Sequence, residues 1–154
     1  MKILFVSVLL AGLLHKAAVA QSANPLYNAK LADSLGADDY GMRSYVMAIL
    51  KTGPNQSATP AQTDSLFKGH MANMTVLEKA GKLIVAGPFG KNNEGYRGIF
   101  ILKAATVEEA RKMVDTDPAI KAGLLKADLI PWYGSAALPL YIPQHKLVEK
   151  KSVM

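Results

Sequence analysis

Four short apolar runs bounded by turn residues, with a capping box opening each of the two helical stretches between them, constrain this chain more than any other feature. The first run, Tyr45-Val46-Met47-Ala48-Ile49-Leu50, closes on Thr52-Gly53-Pro54-Asn55, and its unbroken apolarity predicts a strand buried on both faces. Thr59-Pro60-Ala61-Gln62 is a capping box with proline at the first helical position, so a helix is expected from there to Gly81, its terminator. Residues 82–86, ended by Gly87-Pro88-Phe89, read as a second strand, and residues 90–95 form a hairpin loop into a third, Tyr96–Leu102. Thr106-Val107-Glu108-Glu109 is a second capping box, opening a helix with Val107, Ala110, Met113 and Val114 turned inward. Asp117-Pro118 caps a further helical turn, and residues 128–132 supply a fourth strand.

The order β-α-β-β-α-β predicts an α+β fold of the split βαβ, ferredoxin-like kind: a four-stranded antiparallel sheet in the order 4-1-3-2 with both helices on one face. Proline placement agrees, because Pro88 and Pro131 fall on the two strands this topology puts at the edges and the central strands have none. The helices cover one face only, while the first and third strands are apolar on both. The expected cover for the other face is a second copy of the chain, a homodimer closing an α/β barrel.

Residues 1–20 carry Lys2, a short apolar run from Ile3 to Leu14, then His15-Lys16 and the ending Ala18-Val19-Ala20, the pattern of a secretory signal peptide cut before Gln21. Export to a periplasmic or extracellular space follows, with no membrane attachment after cleavage. Residues 21–44 form an extension with one small helix, capped by Asn24 with Pro25 first and stopped by Gly36, packed on the body by Tyr27, Leu31 and Leu35. Residues 45–135 are the domain. Residues 136–154 are a tail, whose Leu138-Pro139-Leu140-Tyr141-Ile142-Pro143 reads as extended, packed on a neighbouring subunit or a sheet edge, with a frayed end from Gln144.

Composition narrows the chemistry. The absence of cysteine excludes disulfides, thiol catalysis and Cys-type zinc or iron–sulfur sites. Losing Lys2 and Lys16 with the leader lowers the formal net charge from +6 to +4, and no basic stripe interleaves with aromatics, so nucleic acid is not an expected partner. The mature chain has only His70 and His145, without H-x-x-x-H or E-x-x-H spacing, so no metal site is expected. No GxGxxG, Walker loop or G-x-S-x-G occurs, and no cofactor is expected.

One titratable group stands out. At about 100° per residue, Leu66, Leu77, His70, Thr63, Met74, Phe67 and Met71 share one face of the first long helix, with His70 near its centre. An imidazole there is either a core side chain bonded to a carbonyl or a proton carrier lining a cavity. Asp117 is explained by capping its turn, yet an aspartate can also orient a histidine across space; Asp115, two residues earlier, competes for that role. Gly87, Pro88 and Phe89 end an edge strand, either simply terminating it or bringing backbone amides to a ligand. Arg97 on the paired strand is a solvated partner of Glu94 or an anchor for an anionic group. With Asp115, these four are the candidate substrate contacts.

The strand at residues 45–50, His70 followed by Met71-x-x-Met74-x-x-Leu77, the run from Gly81 to Phe89, Gly98-Ile99-Phe100-Ile101 and Asp115-Thr116-Asp117-Pro118-x-x-x-Ala122-Gly123 together resemble the YCII-related family over residues 45–132. The resemblance implies a dimeric ferredoxin-like fold with a His–Asp pair in a pocket, positions that fall here on His70 and Asp117. It also implies kinship with a dehydrochlorinase of chlorinated hydroquinone breakdown, and with barrel families that handle aromatic or lactone substrates without a cofactor. The leader, the N-terminal helix and the tail depart from the small family members. Two functions follow as expectations. One is a cofactor-independent lyase or isomerase in which His70 moves a proton on a small cyclic or aromatic substrate, Asp117 orients the ring, amides near Gly87 stabilise negative charge and Arg97 holds an acidic group. The alternative is a dimeric module that binds a small molecule without turning it over.

Overall fold

The computed structural model describes residues 24–151, so the leader assigned to residues 1–20 lies outside the described residues. The chain forms α1 (Ala29–Leu35), β1 (Met42–Thr52), α2 (Pro60–Lys79), β2 (Leu83–Pro88), β3 (Tyr96–Leu102), α3 (Val107–Val114), α4 (Pro118–Lys121), β4 (Leu125–Ser135) and α5 (Tyr141–Val148). The sheet runs β2-β3-β1-β4 with every pairing antiparallel, the expected order read from its other edge. This is the ferredoxin-like α+β fold. Pro88 and Pro131 both sit in edge strands, where a missing N–H breaks no second ladder.

Local chemistry sets the helix boundaries. Thr59 accepts the Gln62 amide and the Gln62 side chain accepts the Thr59 amide, the reciprocal cap expected for α2. Gly81, at φ +65°, takes the left-handed position just past its end. At α3 only half of the capping box forms: Thr106 accepts the Glu109 amide, but the Glu109 carboxylate reaches one residue further back, to the Ala105 amide. Strands β1 and β4 outrun their apolar runs because Arg43, Ser44, Lys51 and Thr52 continue the ladder between them.

Helices α2, α3 and α4 cover one face of the sheet. There Val46, Ala48, Leu50, Phe100 and Leu102 pack against Met74, Leu77, Met113 and Val114 as one core. The opposite face is only partly covered. Tyr45, Ile84 and Ile101 are buried with Leu138 packed against them, whereas Met47 and Ile49 are half-buried and Ile130 is exposed. Among the described residues no helix is long and apolar enough to cross a membrane.

Both terminal segments differ from expectation. Asn28, not Asn24, caps α1; Asn24 instead holds a preceding turn through the Leu26 amide. Gly36 ends the helix as expected, but α1 buries no residue, and Tyr27 and Leu31 are exposed instead of packed on the body. The tail is helical, not extended: a 3-10 turn, Leu138–Leu140, leads directly into α5, which takes in Gln144 to Val148 of the end expected to fray. Pro139 and Pro143 occupy first turns, where an amide has no intrahelical partner to lose, so they do not break the helices they begin. The expected sheet-edge contact does form, since the Tyr141 hydroxyl donates to the Ile84 carbonyl of β2 at 2.7 Å.

Candidate functional site

His70 projects from α2 toward the core, and Asp117 begins α4 beneath it. Glycine makes their approach possible: a Cβ on Gly69 would lie 2.9 Å from Pro118 Cγ, so only glycine lets α2 press this closely on α4. The residues next to that contact then meet, with His70 Nδ1 2.5 Å from Asp117 Oδ2. The two readings of Asp117 are both realised. Its Oδ1 accepts the amides of Ala119 and Ile120 and caps α4, while its Oδ2 faces the imidazole. A carboxylate occupied with backbone donors is an acceptor toward the ring as well, which assigns the proton of a neutral His70 to Nδ1 and leaves a lone pair on Nε2. The ring stacks on Phe100 at 5.8 Å and meets Phe67 edge-on at 5.9 Å, so its plane is fixed.

His70 lines a cavity of about 650 Å³ between α2, the free edge of β2 and α5. The walls are largely apolar, from Phe67, Met71, Met74, Val85 and Phe100. Polar groups are few, as small-molecule sites require: His70, Glu78, Arg97, Tyr141 and His145. From Phe67 to Glu78 the α2 wall runs about 16 Å at the helical rise. Arg97 stands at the Phe67 end, its guanidinium 5.8 Å from that ring; Tyr141 and His145 stand at the Glu78 end. Burial, and secondarily the Glu78 carboxylate, push the Tyr141 phenol above its usual range.

The other candidates divide. Gly87, Pro88 and Arg97 line the cavity. Phe89 does not; it is 44 % exposed and packs on Tyr96 at 6.0 Å. Asp115 is also elsewhere, exposed at the end of α3 and 4.0 Å from Arg111, because a helix C-terminus there points it away from α2. The Gly87 amide is not free for a ligand. Phe89 N–H donates to the Arg97 carbonyl, and alternation along the register pairs Gly87 with Ile99 in the same way, while Pro88 has no N–H. The same alternation turns the Ala86 N–H off the sheet edge, on the side where the Ile84 carbonyl meets Tyr141. Trp132 and Tyr133 do not line the cavity: Trp132 packs 5.8 Å from Tyr45, and Tyr133 is exposed and bonds Asp38, which pushes its phenol up to about 12.

Sequence reasoning missed Gly69, Ala86 and the whole α5 wall. A glycine inside a well-capped helix, against helical propensity, was the one local signal for Gly69. Ala86 needed the register and α5 needed the tertiary fold, so neither had a local signal. Among the described residues no group of three or more His, Cys, Asp or Glu side chains is placed to hold a metal ion.

A ferredoxin-like α+β domain with an imidazole in the wall of an apolar pocket and a buried carboxylate bonded behind it is the class of protein that fold and site define here. Within that class the chain belongs to the YCII-related family, whose domain model matches residues 44–133. Residues 141–148 of α5 therefore lie beyond the matched domain. No curated protein matches the chain. A solved structure similar to it is 5-chloro-2-hydroxyhydroquinone dehydrochlorinase from Burkholderia phenoliruptrix AC1100 in complex with 2,5-dihydroxybenzoquinone, with 23% sequence identity and a TM-score of 0.40 over 56% of this chain and 92% of that one.

Proposed function

We infer that this protein is an acid/base enzyme of lyase or isomerase type, working without a cofactor on a small cyclic or aromatic substrate, with His70 as proton carrier and Asp117 as the group that orients it. The observation that carries the reading is the 2.5 Å contact between His70 Nδ1 and Asp117 Oδ2 at the wall of a 650 Å³ apolar cavity. In this reading Nε2 takes a proton from an acidic C–H or O–H of the bound ring. The electron pair left behind moves into the ring, either expelling a leaving group or accepting the proton back at another atom. Asp117 keeps Nδ1 protonated throughout and balances the charge of the imidazolium. Arg97 holds an anionic substituent, and Ala86 N–H replaces Gly87 as the backbone donor for developing negative charge.

Proton transfer can be tested before any substrate is known. Phenols, lactones and cyclic ketones are incubated with the protein in D2O, and loss of exchangeable C–H signals is followed by proton NMR. Exchange or turnover that vanishes in His70→Asn is the expected result. Saturable binding with no exchange in any compound, unchanged in His70→Asn, would overturn the enzyme in favour of a binding module.

Export and dimerisation belong to the same reading. The pattern of residues 1–20 supports a secreted or periplasmic location, tested by the N-terminal sequence of the expressed protein. The half-buried Met47 and Ile49 and exposed Ile130 support a homodimer through the uncovered sheet face. Light scattering that gives a monomer would refute it.

A further inference from the structure

The cavity is a groove with unlike ends. At the Phe67 end stands the Arg97 cation, with His70 one helical turn along α2. Beyond His70 the wall becomes apolar through Met71, Met74 and Leu83 until α5 crosses it. Two contacts hold α5 there: the Tyr141 hydroxyl on the Ile84 carbonyl at 2.7 Å, and Lys146 on Glu78 at 3.7 Å. Between these anchors Ile142 and His145 face the cavity. Because α5 lies outside the matched domain, this end of the groove belongs to this chain's own added segment.

We propose that α5 is the specificity-determining wall of the pocket, with Ile142 setting the length of a ligand that has an acidic group at the Arg97 end and an elongated apolar body pointing away from it. The proposal rests on the cavity being the ligand site. An acidic ring with no extension fills only the Arg97 and His70 end and leaves the apolar stretch to water. A body that reaches Ile142 displaces that water onto Met71, Met74 and Leu83 and gains the burial of its apolar surface. A longer body collides with α5. The pocket therefore takes monoanionic aromatic acids with an apolar substituent opposite the acidic group, within a length limit.

A rigid ruler tests this: benzoate, biphenyl-4-carboxylate and p-terphenyl-4-carboxylate, titrated calorimetrically into the full chain. Biphenyl-4-carboxylate is expected to bind tightest, by roughly tenfold over each of the others. Ile142→Ala should move the optimum to the terphenyl acid. Ile142→Trp should move it to benzoate. Circular dichroism confirms that each variant keeps its fold, which substitution at a side chain lining an open groove should not disturb. An unchanged order of affinities in all three proteins overturns the role of α5. Arg97→Gln separates that failure from failure of the site itself. It should weaken all three acids together, and if it weakens none, or none of the acids binds, the cavity is not the acid-binding site and both readings fall.

Discussion

The two ends of the pocket are built in opposite ways. At the inner end His70 is 8 % exposed and Asp117 1 %, each clamped by packing or by backbone amides, and the contact between them depends on a helix crossing that admits no Cβ. The outer end is α5, whose Leu147 and Val148 are 79 % and 80 % exposed and which buries no residue. Proton transfer needs a lone pair held within a fraction of an ångström, and only buried, over-determined elements provide that. Limiting the length of a ligand, the role proposed for α5, needs only an obstacle, which a lightly packed helix held at Tyr141 and Lys146 provides. The matched domain therefore carries the geometry-sensitive pair, and the added segment carries the tolerance.

If that contrast holds, the largest effects come from the inner end. Asp117→Asn should preserve the α4 cap, since an amide oxygen still accepts from Ala119 and Ile120. Its NH2 donates to Nδ1, however, forcing the ring proton onto Nε2 and removing the base. Activity on any substrate found should drop about 10²- to 10⁴-fold while the fold is retained. Asp117→Ala also deletes the cap, and should lower stability by about 1–3 kcal/mol in thermal or denaturant unfolding. Equal activity in Asp117→Asn and the unaltered protein would erase the distinction between a positioned base and a satisfied core histidine.

Gly69→Ala gives a smaller effect whose sign is informative. Alanine is better than glycine inside a helix by about 1 kcal/mol, so if α2 can retreat freely from Pro118 the variant is stabilised. If the α2–α4 contact is rigid, a Cβ 2.9 Å from Pro118 Cγ costs about 1–3 kcal/mol, and the His70–Asp117 distance lengthens with it. We expect net destabilisation together with a loss of activity. A more stable and equally active protein would show the inner end to be as compliant as the outer one.

This division also explains what was legible in the sequence. Most signals confined to a few adjacent residues survived: Thr59 with Gln62, Gly36, Gly81, and the prolines of the edge strands act where sequence placed them, while the Asn24 cap and half of the Thr106–Glu109 box moved by a few residues. The apolar face of α2 marked His70 because a single polar group at the centre of such a face is conspicuous. The choice between Asp115 and Asp117 was not legible from spacing, since two residues separate an exposed helix end from a buried cap and only the α2–α4 crossing selects one. Nor was Phe89 separable from Gly87 and Pro88, because the cavity ends within that turn. The tail misled for a physical reason. Two prolines among apolar residues look extended, and their tolerance in first turns depends on where the helices begin. Conversely α1 kept its Gly36 stop, but its N-cap is Asn28 instead of Asn24 and the helix buries nothing, since caps report local hydrogen bonding and say nothing of what a helix lies against.

The smallest effect belongs to the outer end and carries its own pH signature. Tyr141→Phe removes one hydrogen bond to a backbone carbonyl at a half-exposed position, about 0.5–1 kcal/mol of docking for α5 and little global stability. The fold holds this phenol above its ordinary range, by burial first and by Glu78 second, so its folded pKa exceeds the unfolded one. A group shifted in that direction contributes fully below its unfolded pKa, near about 10, and the contribution fades as pH rises through the folded value. Hydrogen exchange of the α5 amides should therefore be faster in Tyr141→Phe than in the unaltered protein at neutral pH. The two should converge, after correction for intrinsic exchange, once the phenol ionises. Amides of α2 around His70 should exchange alike in both proteins across the whole range. Should the substitution loosen α2 as much as α5, the two ends of the pocket would be one cooperative unit, and the separation of chemistry from ligand selection would have no structural basis.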